Sequence, residues 1–232
     1  SYSPIGYRND LIVRGGGPSE NSFFIDGIEI PNINHFATQG ASGGPVSILN
    51  SDLIREISFY TGSFPANRGG ALSSVMDITL KDGNPDKQAF KAVIGASEVG
   101  VSASGHIGKN TTYIASVRQS YLQLLFRLLG LPMLPNYIDG QFKSRTRIDS
   151  RNEIAFIALA GFDNMKLSDD PDDKGDEYLL SYLPVLKQET FTIGTSYKHF
   201  SDRHIQTYSL SYSYLNNRSR KYLDNDESVG DN

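Results

Sequence analysis

The second part of the chain alternates apolar and polar residues with the period of two that is typical of β-strands. From Val99 to Ile107, apolar and small side chains fall on one face, and Ser and His fall on the other. The pattern recurs in seven segments, at about residues 90–96, 99–107, 112–121, 137–148, 154–162, 190–198 and 207–214. Most segments approach the roughly 9 to 11 residues that a tilted strand needs to cross a bilayer. The pattern predicts seven antiparallel strands.

The connections between these segments alternate between short and long. Short turns are expected at 108–110, 149–151 and 201–203, whereas 120–136, 163–188 and the residues after 215 form longer connections. Outer-membrane barrels have this arrangement, with tight periplasmic turns and long external loops. The turn near Ser97 is the exception, because it is tight although its position predicts an external loop.

Two all-β architectures fit the alternation. A soluble β-sandwich also has one apolar and one polar face on each strand. A water-filled barrel is favoured by tyrosines near strand ends and by the polar face of segment 137–148, which carries Asp139, Gln141, Lys143, Arg145 and Arg147. Bacterial single-chain barrels have even strand numbers, so seven strands predict an incomplete barrel.

Composition removes several functional classes. The net charge of -4 and the lack of a basic block argue against nucleic acid as a partner. Cysteine is absent, which excludes disulfides, thiolate metal sites and a Cys nucleophile. The histidines are not spaced as a ligand pair, so we predict no metal, no cofactor and no enzyme activity. No run of about 18 apolar residues and no secretory leader before Ser1 is seen, so hydropathy alone would indicate a soluble protein.

The first part of the chain is rich in glycine and ends at a turn-forming cluster, Gly83-Asn84-Pro85-Asp86. The glycines that follow Arg14 do not match either glycine-rich phosphate-binding motif, because no Gly-Lys-Ser/Thr and no following helix is present. Asp26-Gly27 lies inside an apolar run and predicts a tight hairpin turn.

Two stretches in this first part resemble a known family. IVRGGGPSENSFFIDGIEIP, from Ile12, resembles the Ile-Arg-Gly…Asp-Gly signature of the plug domain of TonB-dependent outer-membrane transporters, with a Bacteroidetes-like character. IREISFYTGSFPANRGGALSSVMDITLKDG, residues 54–83, resembles the closing segment of that plug. The resemblance implies a mixed α+β plug domain at residues 1–86 and, at residues 87–232, the first seven or so strands of a transmembrane antiparallel β-barrel. Family barrels have about 22 strands, so both the plug and the barrel are expected to be incomplete.

The resemblance also assigns roles to individual residues. Arg14 matches a plug arginine that pairs with glutamates on the inner barrel wall, and Gly15 and Gly16 let the backbone pass close to that wall. A solvated surface arginine is the alternative for Arg14. Plug hairpin and packing positions are Asp26, Gly27, Gly62, Gly69 and Gly70. Thr61 stands where the family often has a second arginine.

Three further segments have two interpretations each. The loop at residues 31–45 is assigned by the resemblance to a ligand-facing position through Asn34, His35, Phe36 and Gln39, although a structural connector fits equally well. The acidic segment 169–177 lacks EF-hand spacing and is interpreted as a hydrated loop rather than a calcium site. Residues 121–129 have helical apolar spacing and predict a short packed helix, or else a membrane-surface helix.

The functional prediction is active import of a small external nutrient through a plugged barrel in the bacterial outer membrane. Expected partners are the TonB energy-coupling protein, outer-membrane lipid and the nutrient. Iron chelates, cobalamin, haem, glycans and peptides remain open as ligands, with a slight preference for metal chelates. One alternative is a soluble glycan-binding β-sandwich. Trp platforms would favour it, but the sequence contains no Trp. The other alternative is a passive barrel or adhesin, which needs no plug.

Overall fold

The computed structural model describes residues 10–37, 44, 46–131, 133–167 and 184–221. Its first part, residues 10–80, is called the N-terminal unit. The strands of this unit are β1 (Asn21–Ile25), β2 (Ile28–Ile30), β3 (Asn34–His35), β4 (Val46–Ser47), β5 (Ile54–Tyr60) and β6 (Ser74–Leu80). Short 3-10 helices at Pro18–Glu20 and Ser51–Leu53 precede β1 and β5.

Four of these strands form a sheet in the order β2-β1-β6-β5, and β3 pairs with β4 separately. The central pair, β1 and β6, is parallel, and the two outer pairs are antiparallel. Asp26 and Gly27 both have positive φ angles, 48° and 85°, and join β1 to β2. This is the tight hairpin that the Asp-Gly pair predicts.

The second part of the chain forms one antiparallel sheet in chain order. Its strands are β7 (Ala89–Ile94), β8 (Glu98–Ile107), β9 (Thr111–Ser120), β10 (Met133–Arg147), β11 (Asn152–Leu167), β12 (Val185–Phe200) and β13 (Ile205–Arg220), with helix α1 (Leu122–Leu128) between β9 and β10. The seven predicted strands and the helix predicted within 121–129 are confirmed. Because all seven strands share one sheet, they are not divided between the two sheets of a sandwich.

The later strands are longer than the alternation predicts. Strands β10 to β13 contain 15 or 16 residues each. The prediction ended each strand where apolar alternation ended, but backbone pairing needs only a neighbouring strand. Residues 164–167, for example, pair with 133–136 although polar and apolar side chains are mixed there.

The two faces of the sheet have inverted polarity compared with a soluble protein. Its inner face, which contacts the N-terminal unit, buries polar residues such as Asp139, Gln141 and Lys143. Its outer face exposes large apolar side chains, among them Phe90, Val101, Val117, Phe156, Phe162, Ile193, Leu210 and Tyr212. Apolar-out and polar-in alternation is the pattern of strands that face lipid on one side and a wet lumen on the other. No helix in the described ranges is long and apolar enough to cross a membrane.

An apolar core joins the two parts. Ile25, Ile28, Ile48, Ile78 and Leu80 of the N-terminal unit cluster with Ile114, Ile157 and Leu159 from the inner face of the sheet. Gly194 on β12 makes room for this contact, because a Cβ atom there would lie 2.9 Å from the side chain of Ile28.

Residues 81–88 link the N-terminal unit to the sheet, and the predicted boundary at 83–86 falls within them. The amide of Lys81 donates to the carbonyl of Leu53. Gly83 then passes so close to the sheet that a Cβ atom would overlap the backbone of Gly105 and Tyr113. The side chain of Asn84 accepts from the amides of Asp86 and Lys87, which ends the link in an Asx turn.

Candidate functional site: the charged interface between the N-terminal unit and the sheet

The His35 cluster occupies one end of the interface. Strand β3 carries His35 against the inner face of the sheet, where its side chain is completely buried. Its Nδ1 contacts Oδ1 of Asp163, and its Nε2 lies 3.1 Å from Oδ2 of Asp139. Asp163 is paired with Tyr137, two residues before Asp139 on β10, so the strand register brings both carboxylates to one place. The ring of Tyr137 stacks on the imidazole at 4.1 Å.

Arg118 on β9 extends the cluster. Its Nε and Nη2 donate to the two oxygens of Asp139 at 3.0 and 2.9 Å, and its Nη1 lies 3.3 Å from Glu98. The hydroxyl of Tyr137 donates to the other oxygen of Glu98 at 2.5 Å. The carboxylate of Asp139 is therefore shared between the guanidinium of Arg118 and the imidazole of His35, and charge-assisted bonds such as those from Arg118 are stronger than neutral ones.

The electrostatics of the cluster favour the charged imidazole. Burial lowers the pKa of His35, but hydrogen bonds to Asp139 and Asp163 and the charges of both carboxylates outweigh it. The net effect raises the pKa of His35 above its ordinary value of 6.5.

Backbone groups around His35 are held by the sheet as well. The amide of Phe36 donates to Oδ2 of Asp163 at 2.7 Å. The side-chain amides of Gln188 and Asn217 donate to the carbonyls of Asn34 and Ala37 at 3.1 and 3.0 Å. Residues 34–37, called the His35 segment, are therefore anchored to strands β10 to β13.

The Lys143 cluster occupies the other end of the interface. Lys143 Nζ lies 3.1 Å from Oδ2 of Asp26 and 3.0 Å from Oδ1 of Asp82, and it donates to the carbonyl of Leu80 at 3.1 Å. Its contact with Asp26 is an ion pair rather than a well-aligned hydrogen bond, since Oδ2 of Asp26 accepts none. Arg145 bridges Asp82 and Glu153 at 2.9 and 2.5 Å.

The two aspartates of the Lys143 cluster respond differently to this environment. Burial raises the pKa of Asp26, and attraction by Lys143 offsets this only in part. Burial also acts on Asp82, but Lys143 and Arg145 together outweigh it and lower its pKa. The difference follows from exposure and from the second cation, which only Asp82 contacts.

A cavity of considerable size lies beside each of these clusters. A cavity of about 770 Å³ lies beside the Lys143 cluster, and its polar lining includes Arg68, Asp77, Lys198 and Ser209. A cavity of about 560 Å³ lies beside the His35 segment and is lined by Phe36, Asp163, Lys187, Gln188 and Arg218, among others. The smaller cavity is on the side of the long connections.

The glycine-rich sequence around Arg14 lies away from both clusters. Arg14 is exposed, has a positive φ of 51°, and makes no ion pair within the described residues. Its guanidinium covers Gly62, where a Cβ atom would be 2.8 Å from Nη1. A Cβ atom on Gly16 would collide with Ser73 and Glu20. The predicted contact of Arg14, Gly15 and Gly16 with wall glutamates stays a prediction.

Other predicted site residues lie in turns or outside the described residues. Gly15 and Gly70 have positive φ angles, and Gly69 is surrounded by open space. Arg68, just before Gly69, binds Asp77 through Nε and Nη2. Of the ligand-facing set, His35 is buried and its two ring nitrogens contact Asp139 and Asp163, while Asn34 and Phe36 flank it. Gln39 and the acidic segment 169–177 lie outside the described residues.

Sequence reasoning placed Asp139 and Lys143 on one polar face but assigned them no partner. The partners are distant in sequence, since Asp139 and Asp163 are 104 and 128 residues from His35. The available signal was the presence of charged residues on the inward face of a strand. In the described ranges, no group of His, Asp or Glu side chains is arranged to hold a metal ion.

Comparison with known proteins gives a structural likeness only. No protein-family model matches the chain, and no curated protein matches it. Its fold is similar to a mutant of the ferric enterobactin receptor PfeA from Pseudomonas aeruginosa, with a TM-score of 0.63 and 15% identity over 90% of this chain and 34% of that one. The outer membrane transporter YddB from Escherichia coli gives 0.57 and 12% identity, covering 91% and 33%. The siderophore receptor PiuA from Acinetobacter baumannii gives 0.56 and 13%, covering 93% and 33%.

These likenesses concern the fold, because the identities are low. The chain spans about a third of the length of the solved structures that it matches. Its mostly β architecture corresponds to part of the fold of these three proteins, which are described as receptors or as an outer membrane transporter.

Proposed function

We propose that the chain is part of a TonB-dependent outer-membrane receptor that actively imports a small external nutrient. Residues 1–86 would be its plug, and residues 87–232 would contain the first seven or so strands of its β-barrel. One observation carries the proposal. The sheet exposes apolar side chains on its outer face and directs buried charges at the N-terminal unit on its inner face. A protein surrounded by water would bury those apolar side chains instead.

In this proposal, the two charge clusters hold the plug against the barrel wall. His35 contacts Asp139 and Asp163 at the end with long connections, which is the external end in a barrel. Lys143 contacts Asp26 and Asp82 at the end with short turns. Arg14, Gly15 and Gly16 would contact wall strands further along the full-length protein, and Asn34 and Phe36 would face the ligand side.

The fold neighbours and the sequence both support one ligand class as the first candidate. Two of the neighbours are described as receptors of ferric enterobactin and of siderophores. A ferric siderophore is therefore the first ligand to test for this chain. This choice agrees with the slight preference for metal chelates among the ligands that the sequence leaves open. Energy would come through TonB, which pulls on the plug after ligand capture.

The first experiment tests membrane location and barrel closure. The full-length protein is expressed, the outer-membrane fraction is isolated, and heated and unheated samples are compared by gel electrophoresis. We expect a membrane-bound protein whose unheated form migrates faster. A soluble protein without a heat-dependent shift would refute the proposal.

The second experiment distinguishes active import from a passive barrel. Uptake of radiolabelled ferric siderophores is measured in cells with the full-length protein and in cells with a variant lacking residues 1–83. We expect uptake by the full-length protein to need the membrane proton gradient, and the deletion to abolish this dependence. Unchanged energy-dependent uptake after the deletion would remove the plug assignment.

A further inference from the structure

The contacts of His35 require an extra proton in the cluster. Both ring nitrogens contact carboxylate oxygens, and an ionised carboxylate can only accept hydrogen bonds. A neutral imidazole donates from one nitrogen, so its other nitrogen would direct a lone pair at an anion. The imidazolium donates from both nitrogens. The geometry is therefore satisfied by a protonated His35.

The charges around His35 lead to the same requirement. Strand β8 contributes Glu98, β9 contributes Arg118, β10 contributes Asp139 and the Tyr137 hydroxyl, and β11 contributes Asp163. Strands β12 and β13 contribute the uncharged amides of Gln188 and Asn217 at the contact, with Lys187 and Arg218 around the neighbouring cavity. Three carboxylates thus face two cations when His35 is protonated, and only one when it is neutral. Loss of the proton leaves a buried excess of negative charge.

The remaining polar contacts of the His35 segment are incomplete. The side-chain nitrogens of Gln188 and Asn217 are turned to backbone carbonyls of the segment. The buried oxygen of each amide has no hydrogen-bond partner. Docking therefore leaves two acceptors unsatisfied, which opposes it. The ionic contacts of His35, together with the hydrogen bond from the Phe36 amide to Asp163, are the favourable polar contacts that offset this cost.

We propose that the His35 segment is a proton-dependent latch, docked against β10 and β11 while His35 is protonated and released when that proton is lost. In the released segment His35 faces water, where its pKa is near 6.5. In the docked segment the pKa is higher. Docking is therefore strongest below about pH 6.5 and weakens as the pH rises through the docked value. Between the two values, each release gives off one proton.

This latch is a property beyond the proposed transport activity and does not depend on it. It can be tested by hydrogen exchange with mass spectrometry on the full-length protein in detergent, from pH 5.5 to 9. Rates for the peptide that contains residues 33–37 are divided by the intrinsic exchange rate at each pH. We expect protection of the Phe36 amide to be constant below about pH 6.5, to fall by up to about tenfold per pH unit between that value and the docked pKa, and to level off above the docked pKa.

Two variants identify the responsible group. His35→Gln should show low protection at pH 5.5 and no dependence on pH. The matched control, His204→Gln, removes an exposed histidine at the β12–β13 turn and should keep the wild-type profile. Asp139→Asn retains the imidazole but removes one carboxylate charge, so the docked pKa should drop, and the fall should end at lower pH and be smaller. This variant also serves if His35→Gln does not fold.

Three results would overturn the latch: a flat wild-type profile, a pH-dependent fall that persists in His35→Gln, or an unshifted midpoint in Asp139→Asn. None of them bears on transport, because exchange is measured without ligand. Equally, a protein that imports nothing would leave the exchange profile intact.

Discussion

Lys143 is the residue with the largest expected effect on stability at the interface. Its side chain is 7% exposed and contacts two carboxylates of the N-terminal unit and its link. Lys143→Met would leave Asp26 and Asp82 without this cation, and breaking a buried ion pair in this way typically costs about 3–5 kcal/mol. The free energy of unfolding by urea, measured on the full-length protein in detergent, tests the expectation.

The control for Lys143 is an exposed lysine whose ion pair is even shorter. Lys91 lies 2.6 Å from Asp52, but both side chains are about half exposed. Lys91→Met should change stability by about 0–1 kcal/mol, because solvent screens surface pairs. Equal losses in the two variants would contradict the burial argument.

Gly83 provides a second prediction for a single residue. A Cβ atom there would overlap backbone atoms of Gly105 and Tyr113, which cannot move aside as a flexible side chain could. Gly83→Ala should therefore destabilise the protein by about 1–3 kcal/mol, as overpacking usually does. Gly69→Ala is the matched control, because no atom lies within 4 Å of its Cβ position. Thermal unfolding gives the Tm of both variants. A lower Tm for Gly69→Ala than for Gly83→Ala would contradict the prediction.

The residues of the interface were only partly predictable. The sequence places Asp139 and Lys143 on the inward face of a strand through simple alternation. It cannot show that His35 meets Asp139 and Asp163, because that contact depends on how the N-terminal unit docks against strands more than 100 residues away. The predicted contact of Arg14 with the barrel wall rests on a family signature. The ion pairs described at the interface include those of His35 and Lys143.

At the scale of the element, strand β13 allows a test of the two faces of the sheet. Leu210 is 80% exposed on the outer face, and neighbouring Ser209 lines the cavity of about 770 Å³ on the inner face. In a membrane, Leu210→Arg should cost about 2–4 kcal/mol if it lies near the bilayer centre. Ser209→Arg should be tolerated, since the cavity is polar and has room for a guanidinium.

The measurement for β13 is unfolding of each full-length variant in lipid vesicles, together with its heat-dependent gel shift. A larger loss for Ser209→Arg than for Leu210→Arg would mean that the outer face does not contact lipid. In water without lipid, the order of the two stability losses should change, because the arginine of Leu210→Arg on the outer face is then well solvated.

Elements were predicted more successfully than residues. Alternation identified all seven strands and spacing identified α1, since both signals are local. Strand length was underestimated for β10 to β13, because pairing between neighbours continues beyond the apolar band. The parallel pairing of β1 with β6 could not be derived, because it joins segments separated by about 50 residues with no periodic signal.

In the molecule as a whole, the two charge clusters should act independently. Asp139 and Lys143 are four residues apart on β10, which corresponds to roughly 13 Å. Sites separated by this distance without shared partners usually have additive effects, within about 0.3–0.5 kcal/mol. The double variant His35→Gln/Lys143→Met should therefore lose the sum of the single losses. A markedly smaller loss would show that either variant alone already releases the N-terminal unit, and urea unfolding of all four proteins decides this.

The link at residues 81–88 also sets a limit on movement. Eight residues span at most about 29 Å when fully extended. Strands of 15 or 16 residues, such as β10 and β12, are about 50 Å long. The link therefore acts as a tether shorter than the strands beside it. While β6 stays paired and β7 stays in place, the N-terminal unit can shift or tilt but cannot travel the length of the sheet, and any larger displacement must first unravel β6 to lengthen the tether.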